Sequence, residues 1–184
     1  MTASTPSSWR IGADRSIELD RCHVMGILNV TSDSFSDGGL YDGVDRAVGR
    51  AVAMIGEGAT IIDVGGESTR PGALPVGADE QMRRVVPVIE GIVRRFDVAV
   101  SIDTTSAAVA AAALDAGASI INDVSAGLDD PAMLPLAGER GCGLVLMHRR
   151  CRPADDSWSD AYEVPPDYED VCAEVRAFLL DRAR

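Results

Sequence analysis

The sequence predicts an α/β protein, a (β/α)8 TIM barrel of which about five βα units are present in this chain. Three observations predict it. Short apolar runs rich in β-branched residues alternate with helical patterns, at the rhythm of repeated βα units. The runs are continuous rather than alternating, as in parallel strands covered on both faces. Each also ends in a polar residue, Asn29, Asp63, Asp103, Asn122 or His148, and in a barrel those strand ends line the mouth that holds the active site. No GxGxxG follows any strand, which counts against a dinucleotide-binding doubly wound sheet.

The elements follow in order. Residues 1–10, MTASTPSSWR, lack the basic start and apolar stretch of a secretory signal and read as a loose tail. Residues 9–21, WRIGADRSIELDR, predict a short hairpin turning near Gly12-Ala13-Asp14. Tail and hairpin (1–22) precede one barrel domain (23–184), with strands in 23–30, 59–66, 98–103, 118–124 and 143–148. Between them, apolar residues at helical spacing mark helices over 44–57, with Gly58 as C-cap, and over 79–95, where Pro87 should introduce a kink. The Ala-rich 106–117 is helical by propensity, 129–141 carries Pro131 near a first-turn position, and 167–184 reads as an amphipathic helix. Eight βα units need roughly 250 residues, so a chain of 184 ending in a helical pattern reads as a C-terminally incomplete barrel.

Bulk properties narrow the classes. A chain that is 46% hydrophobic and 25% charged has material for one good core. No run of 18 apolar residues is present, so no membrane partner or membrane-spanning segment is expected. A net charge of −12 argues against nucleic acid and against anionic membrane surfaces. Cys22, Cys142, Cys151 and Cys172 form no CxxC pair, and no His stands at ligand spacing, which suits reduced thiols in a cytoplasmic protein.

Two βα connections are unusually polar and long. TSDSFSDGG follows the first strand, and GGESTRPGALPVG (65–77), which contains Arg70, follows the second. Both exceed the usual two to six residues of a βα connection, and such loops on compact domains tend to be functional. The expectation is a first strand buried all round and a mobile loop that orders over a ligand.

In chain order, MGILNVTSDSFSDGG, DVGGESTRPG, SIDT, IND and LMH span residues 24–148 and resemble dihydropteroate synthases, pterin-binding TIM barrels of folate synthesis. The resemblance implies a transferase that condenses 6-hydroxymethyl-7,8-dihydropterin pyrophosphate with p-aminobenzoate, using Mg²⁺ and commonly as a homodimer. It implies that Asn29 contacts the pyrophosphate and its Mg²⁺, and that Thr69 and Arg70 come from the second loop toward phosphate or p-aminobenzoate. Asp103 and Asn122 would meet the pterin ring, and Met147 would pack on the ring face. An amide oxygen is a hard ligand for Mg²⁺, an Arg fork suits phosphate, and carboxylate plus amide match a guanidine-like edge. No side-chain nucleophile is implied.

Taken alone, the residues have plainer readings. Asp63 could cap its own loop, Asp103 could cap the next helix, and His148 is structural rather than a general base. Departures from the family pattern are Ser32, where Pro is common, and Arg149 and Arg150, since the family usually has Met or Trp after the His. The family's pterin-binding Asp and Lys and its pyrophosphate-binding Arg and His, all on strands six to eight, have no counterpart in these residues. Two alternatives remain: a non-catalytic pterin-binding remnant, and a methyltetrahydrofolate:corrinoid methyltransferase on the same barrel.

Overall fold

A computed structural model describes residues 7–30, 39–157, 161–164 and 166–184, with side chains of 39–42 left aside. The first polar loop, expected to order over a ligand, lies outside the described residues, as does Ser32. β1 (Ser8–Arg10) and β2 (Ser16–Glu18) form the expected antiparallel hairpin, with Trp9 opposite Ile17. β3 (Val24–Asn29), β4 (Ala59–Gly65), β5 (Ala99–Asp103), β6 (Ile120–Asp123) and β7 (Gly143–Leu146) then form one parallel sheet in sequential order. α1 (Gly39–Gly56), α2 (Ala78–Val93), α3 (Ala107–Asp115) and α4 (Met133–Arg140) connect them, and α5 (Val171–Arg182) follows β7.

Strand parity divides the side chains between two cores. One face of the sheet sends Ile62, Val64, Val100, Ile102 and Ile121 against Val48, Val85, Val88, Ile89, Ile92 and Val109 of the helices. The other face carries Met25, Ile61, Ala99, Ile120 and Val145, and it packs on Trp9, Ile11 and Ile17 of the hairpin. The hairpin is therefore a plug beneath the inner face. Ile11, 1% exposed, contributes on the order of 2–3 kcal/mol by its burial.

Above the plug the inner face turns polar. Pairing runs Ile27–Asp63–Ser101–Ile120–Gly143 in one layer and Asn29–Gly65–Asp103–Asn122–Val145 in the next. Paired residues of parallel strands point to the same face, so the second layer places Asn29, Asp103 and Asn122 side by side at the strand ends.

Several elements depart from the sequence reading for local reasons. β3 is not buried all round as the sequence predicts: among the described residues its one sheet neighbour is β4, and Val24 and Ile27 are 55% and 63% exposed. α2 runs uninterrupted through Pro87; the hydrogen bond a proline cannot make is the one to the Arg83 carbonyl, on an exposed residue. α4 starts later than expected because Asp130 ends the preceding loop, with its Oδ1 accepting from Ala132 N at 3.0 Å and its Oδ2 from Ala107 N at 2.8 Å. It thereby serves the N-terminus of α3, where Ser106 makes no side-chain cap. α5, expected to be amphipathic, buries no residue fully: Val175, Phe178, Leu179 and Arg182 form a half-buried stripe, and Val171 and Leu180 stay about half exposed because apolar residues surround the helix. No helix among the described residues is long and apolar enough to cross a membrane.

The plug supplies a test of packing. A Cβ on Gly143 would meet Ile11 Cγ2 at 2.8 Å, Trp9 Cζ2 at 2.9 Å and Ile120 Cγ1 at 3.0 Å. Gly143→Ala should lower stability by about 1–3 kcal/mol through overpacking, read as a shifted urea midpoint at unchanged slope.

Candidate active site

The two polar layers are linked by hydrogen bonds across strands. Asn122 Nδ2 donates to Asp63 Oδ2 at 3.0 Å, from β6 to β4. Asp63 is 3% exposed, and its buried Oδ1 has no hydrogen-bond partner among the described residues. It does not cap its own loop: its position within β4 turns it to the inner face, where its donor comes from a different strand. A carboxylate can only accept, so the Asn122 NH₂ must face Asp63, and the amide oxygen is left for another donor.

Asp103, at the end of β5, is 9% exposed, and its Oδ1 also lacks a partner among the described residues. It is not a helix cap either, since α3 begins at Ala107 beyond Ser106. Burial, with added like charge from Asp63, Glu67 and Asp123, pushes its carboxyl up to about 7. Burial likewise raises Asp63, against the opposing pull of the Asn122 amide. Gly65 lies between Asn29 and Asp103: a Cβ there would stand 3.5 Å from Asp103 Oδ2 and 3.6 Å from Asn29 Oδ1. The missing side chain leaves these two groups facing a shared gap.

The second loop, 66–77, is held at both ends. Buried Gln81 donates from Nε2 to Glu67 Oε2 at 2.6 Å and to the Val76 carbonyl at 2.8 Å, and its Oε1 accepts from Thr104 Oγ1 at 3.1 Å. Arg84 Nη1 donates to the Gly66 carbonyl at 3.0 Å. Between these anchors Thr69 and Arg70 stand exposed. Thr69 and Asp103 line one cleft of about 400 Å³ with Glu67, Gln81, Thr104 and Arg149. Asn29, Arg70, Asn122 and Met147 do not line it. Met147, just past β7, shares the parity of inward-facing Val145 and is 42% exposed at the mouth.

Other residues make packing and anchoring contacts. His148 packs edge-on against Phe178, with centroids 5.0 Å apart. His23 bridges the Glu18 carbonyl at 2.6 Å and Thr60 Oγ1 at 3.2 Å, tying hairpin to barrel. Arg149 pairs with Asp129, and Arg150 lies over the Tyr162 ring at 5.2 Å. Sequence reasoning counted Asp63 among the strand-end polar residues but read it as a loop cap, and it passed over Gln81. A carboxylate inside an otherwise apolar strand was the available signal for Asp63; nothing in the helical spacing of α2 sets Gln81 apart.

The sequence model of the family described as "Pterin binding enzyme" matches residues 25–184. The chain belongs to this family. It is 54% identical over 164 residues to the dihydropteroate synthase of Mycobacterium leprae, which covers 89% of this chain and 56% of that protein. It also superimposes on a Xanthomonas albilineans dihydropteroate synthase structure with 4-aminobenzoic acid, at a TM-score of 0.77, 44% identity, and coverage of 96% of this chain and 60% of that one. Against a Burkholderia cenocepacia dihydropteroate synthase complexed with 7,8-dihydropteroate the TM-score is 0.78 at 39% identity, covering 97% and 57%. The chain thus spans less than two thirds of these relatives' length, and the fold is that of a partial TIM barrel.

Two measurements test the site's energetics. Because Asp103 binds its proton more tightly when folded, its contribution to stability is full below the ordinary carboxylate range and is lost as pH rises through about 7. Asp63 shifts the same way. Unfolding free energy should therefore fall between pH 5 and 7, and Asp103→Asn should flatten that slope. Gln81→Leu leaves Glu67 and Thr104 without this partner, and should cost about 1–3 kcal/mol in urea unfolding.

Proposed function

We propose that the protein is a dihydropteroate synthase, joining 6-hydroxymethyl-7,8-dihydropterin pyrophosphate to p-aminobenzoate with release of pyrophosphate. The observation that carries this reading is the pair of buried acceptors on the inner face, Asp63 and Asp103, each with one oxygen that has no partner among the described residues, and Asn122 on the strand beyond Asp103 donating to Asp63. Each buried acceptor without a partner costs free energy that a ligand's donors recover. A pterin edge offers ring N–H and amino donors in one plane. Asp103 would take two of them, and the Asn122 oxygen, freed by the Asp63 contact, would take or share another. The solved relatives holding 4-aminobenzoic acid and 7,8-dihydropteroate support the same substrates here.

The reaction asks the protein for position and charge rather than a nucleophile. The amine of p-aminobenzoate attacks the methylene carbon, the C–N bond forms as the C–O bond to pyrophosphate breaks, and the amine proton is lost. Exposed Arg70 would offer its fork to a phosphate or shape the p-aminobenzoate site, with Thr69 beside it on the loop. Met147, on the mouth side, would cover a ring face. Mg²⁺ fits Asn29: its amide oxygen faces the gap over Gly65, and no three His, Cys, Asp or Glu side chains gather as a metal site among the described residues, so substrate oxygens and water would complete the shell. Bound there, the ion would neutralise charge on the pyrophosphate. A cytoplasmic homodimer completes the proposal, the compartment from the cysteine pattern and the dimer from the family resemblance.

The test follows pyrophosphate release by the full-length protein. Asp103→Asn and Asn29→Ala should each lower kcat/KM by about 100-fold or more. Asp103→Asn at wild-type efficiency would falsify the assignment of that residue. Pterin affinity should rise with pH up to about 7 and then level, since the form that accepts both donors is the ionised Asp103.

A further inference from the structure

We propose that Arg149 and Asp129 are positioning residues that hold the second loop, with its Thr69 and Arg70, from the far side of the cleft. The proposal rests on the function above only for which substrate responds. Arg149 Nη2 donates to Asp129 Oδ1 at 2.5 Å, with the two side chains 11% and 20% exposed. The same oxygen accepts from Arg152 Nε at 3.2 Å. Arg152 precedes Pro153, whose carbonyl accepts from Gly72 N at 2.7 Å. Gly72 lies two residues beyond Arg70 and has φ +78°, a backbone state that favours glycine, so the turn there is specific. Ala73 N donates back to the Arg70 carbonyl at 3.0 Å, closing that turn.

Asp129 is itself anchored. Its backbone N–H donates to Ser125 Oγ at 3.3 Å, and that hydroxyl donates to Asp123 Oδ1 at 2.7 Å. Asp123, fully buried at the end of β6, also accepts from Gly127 N at 2.7 Å. The contacts therefore run from the rigid sheet through Asp129 to the loop after β7, and from Pro153 to Gly72. Together with Glu67–Gln81–Thr104 they close a ring of loops around the cleft. Gln81 holds the ends of the second loop, and the Arg149–Asp129 pair holds its tip. Arg152, 65% exposed, would be weakly held alone; the half-buried Arg149 partner makes Asp129 a fixed point.

The test uses the full-length protein as wild type, Arg149→Met, Asp129→Asn, the double variant, and the milder surface variant Arg152→Ala. Hydrogen exchange at the Gly72 amide should quicken about tenfold in each of the first two, less in Arg152→Ala, and no further in the double variant than in the worse single one. The Ile102 amide within β5 should keep its protection. KM for p-aminobenzoate should rise about fivefold with kcat within about twofold. Unchanged exchange at Gly72, or equal loss of protection at Ile102, would overturn the proposal, the second by reducing Arg149 to global stability. Wild-type protein without turnover would sink the assigned reaction, while Gly72 exchange would still decide the strap.

Discussion

The parallel register of β3 through β6 is the constraint on which the mouth depends. Pairing sets Asn29, Gly65, Asp103 and Asn122 in one inward layer, with Asp63 and Ser101 in the layer below. A slip of one residue would turn all of them into the helix-facing core, where Ile62, Val64, Ile102 and Ile121 now sit. Gly65 matters within this layer because it contributes no side chain, so neighbouring strands deliver an amide oxygen and a carboxylate to the same gap.

Burying carboxylates on an inner face is costly, and the cost shows in the raised carboxyls of Asp63 and Asp103. Apolar packing on both sides holds the backbone that imposes it. Ile11 and its hairpin neighbours close the inner face below, and α1 to α4 cover the outer face. Stability and site are in this sense opposed at two residues and cooperative everywhere else. Among the described residues each of the two carboxylates keeps one buried oxygen without a partner.

Around this rigid layer, the loops are fixed by side chains that bond to one another along the wall of the cleft. Glu67, Gln81 and Thr104 form a continuous polar contact from the second loop to the end of β5. Asp130 connects the starts of α3 and α4, and Asp129 gathers Arg149 and Arg152. The second βα loop, long as it is, is thus tied to its neighbours at the rim.

The sequence by itself determined the strand–helix order, the hairpin, the barrel class and the strand-end polar residues, because burial on both faces writes long apolar runs and helical spacing into local composition. Asn29, Asp103 and Asn122 were legible for that reason, helped by motifs of the pterin-binding family. Only the tertiary structure decided the rest. Asp63 looked like a loop cap until cross-strand pairing put Asn122 beside it, 59 residues away. Gln81 is one polar residue among several on an amphipathic helix, and its role exists only where Glu67 and Thr104 meet it. Arg149 read only as a departure from the family pattern until Asp129 of another loop paired with it. Contacts between residues far apart in the chain depend on register and docking angle, and neither quantity is encoded in the local pattern around any one residue.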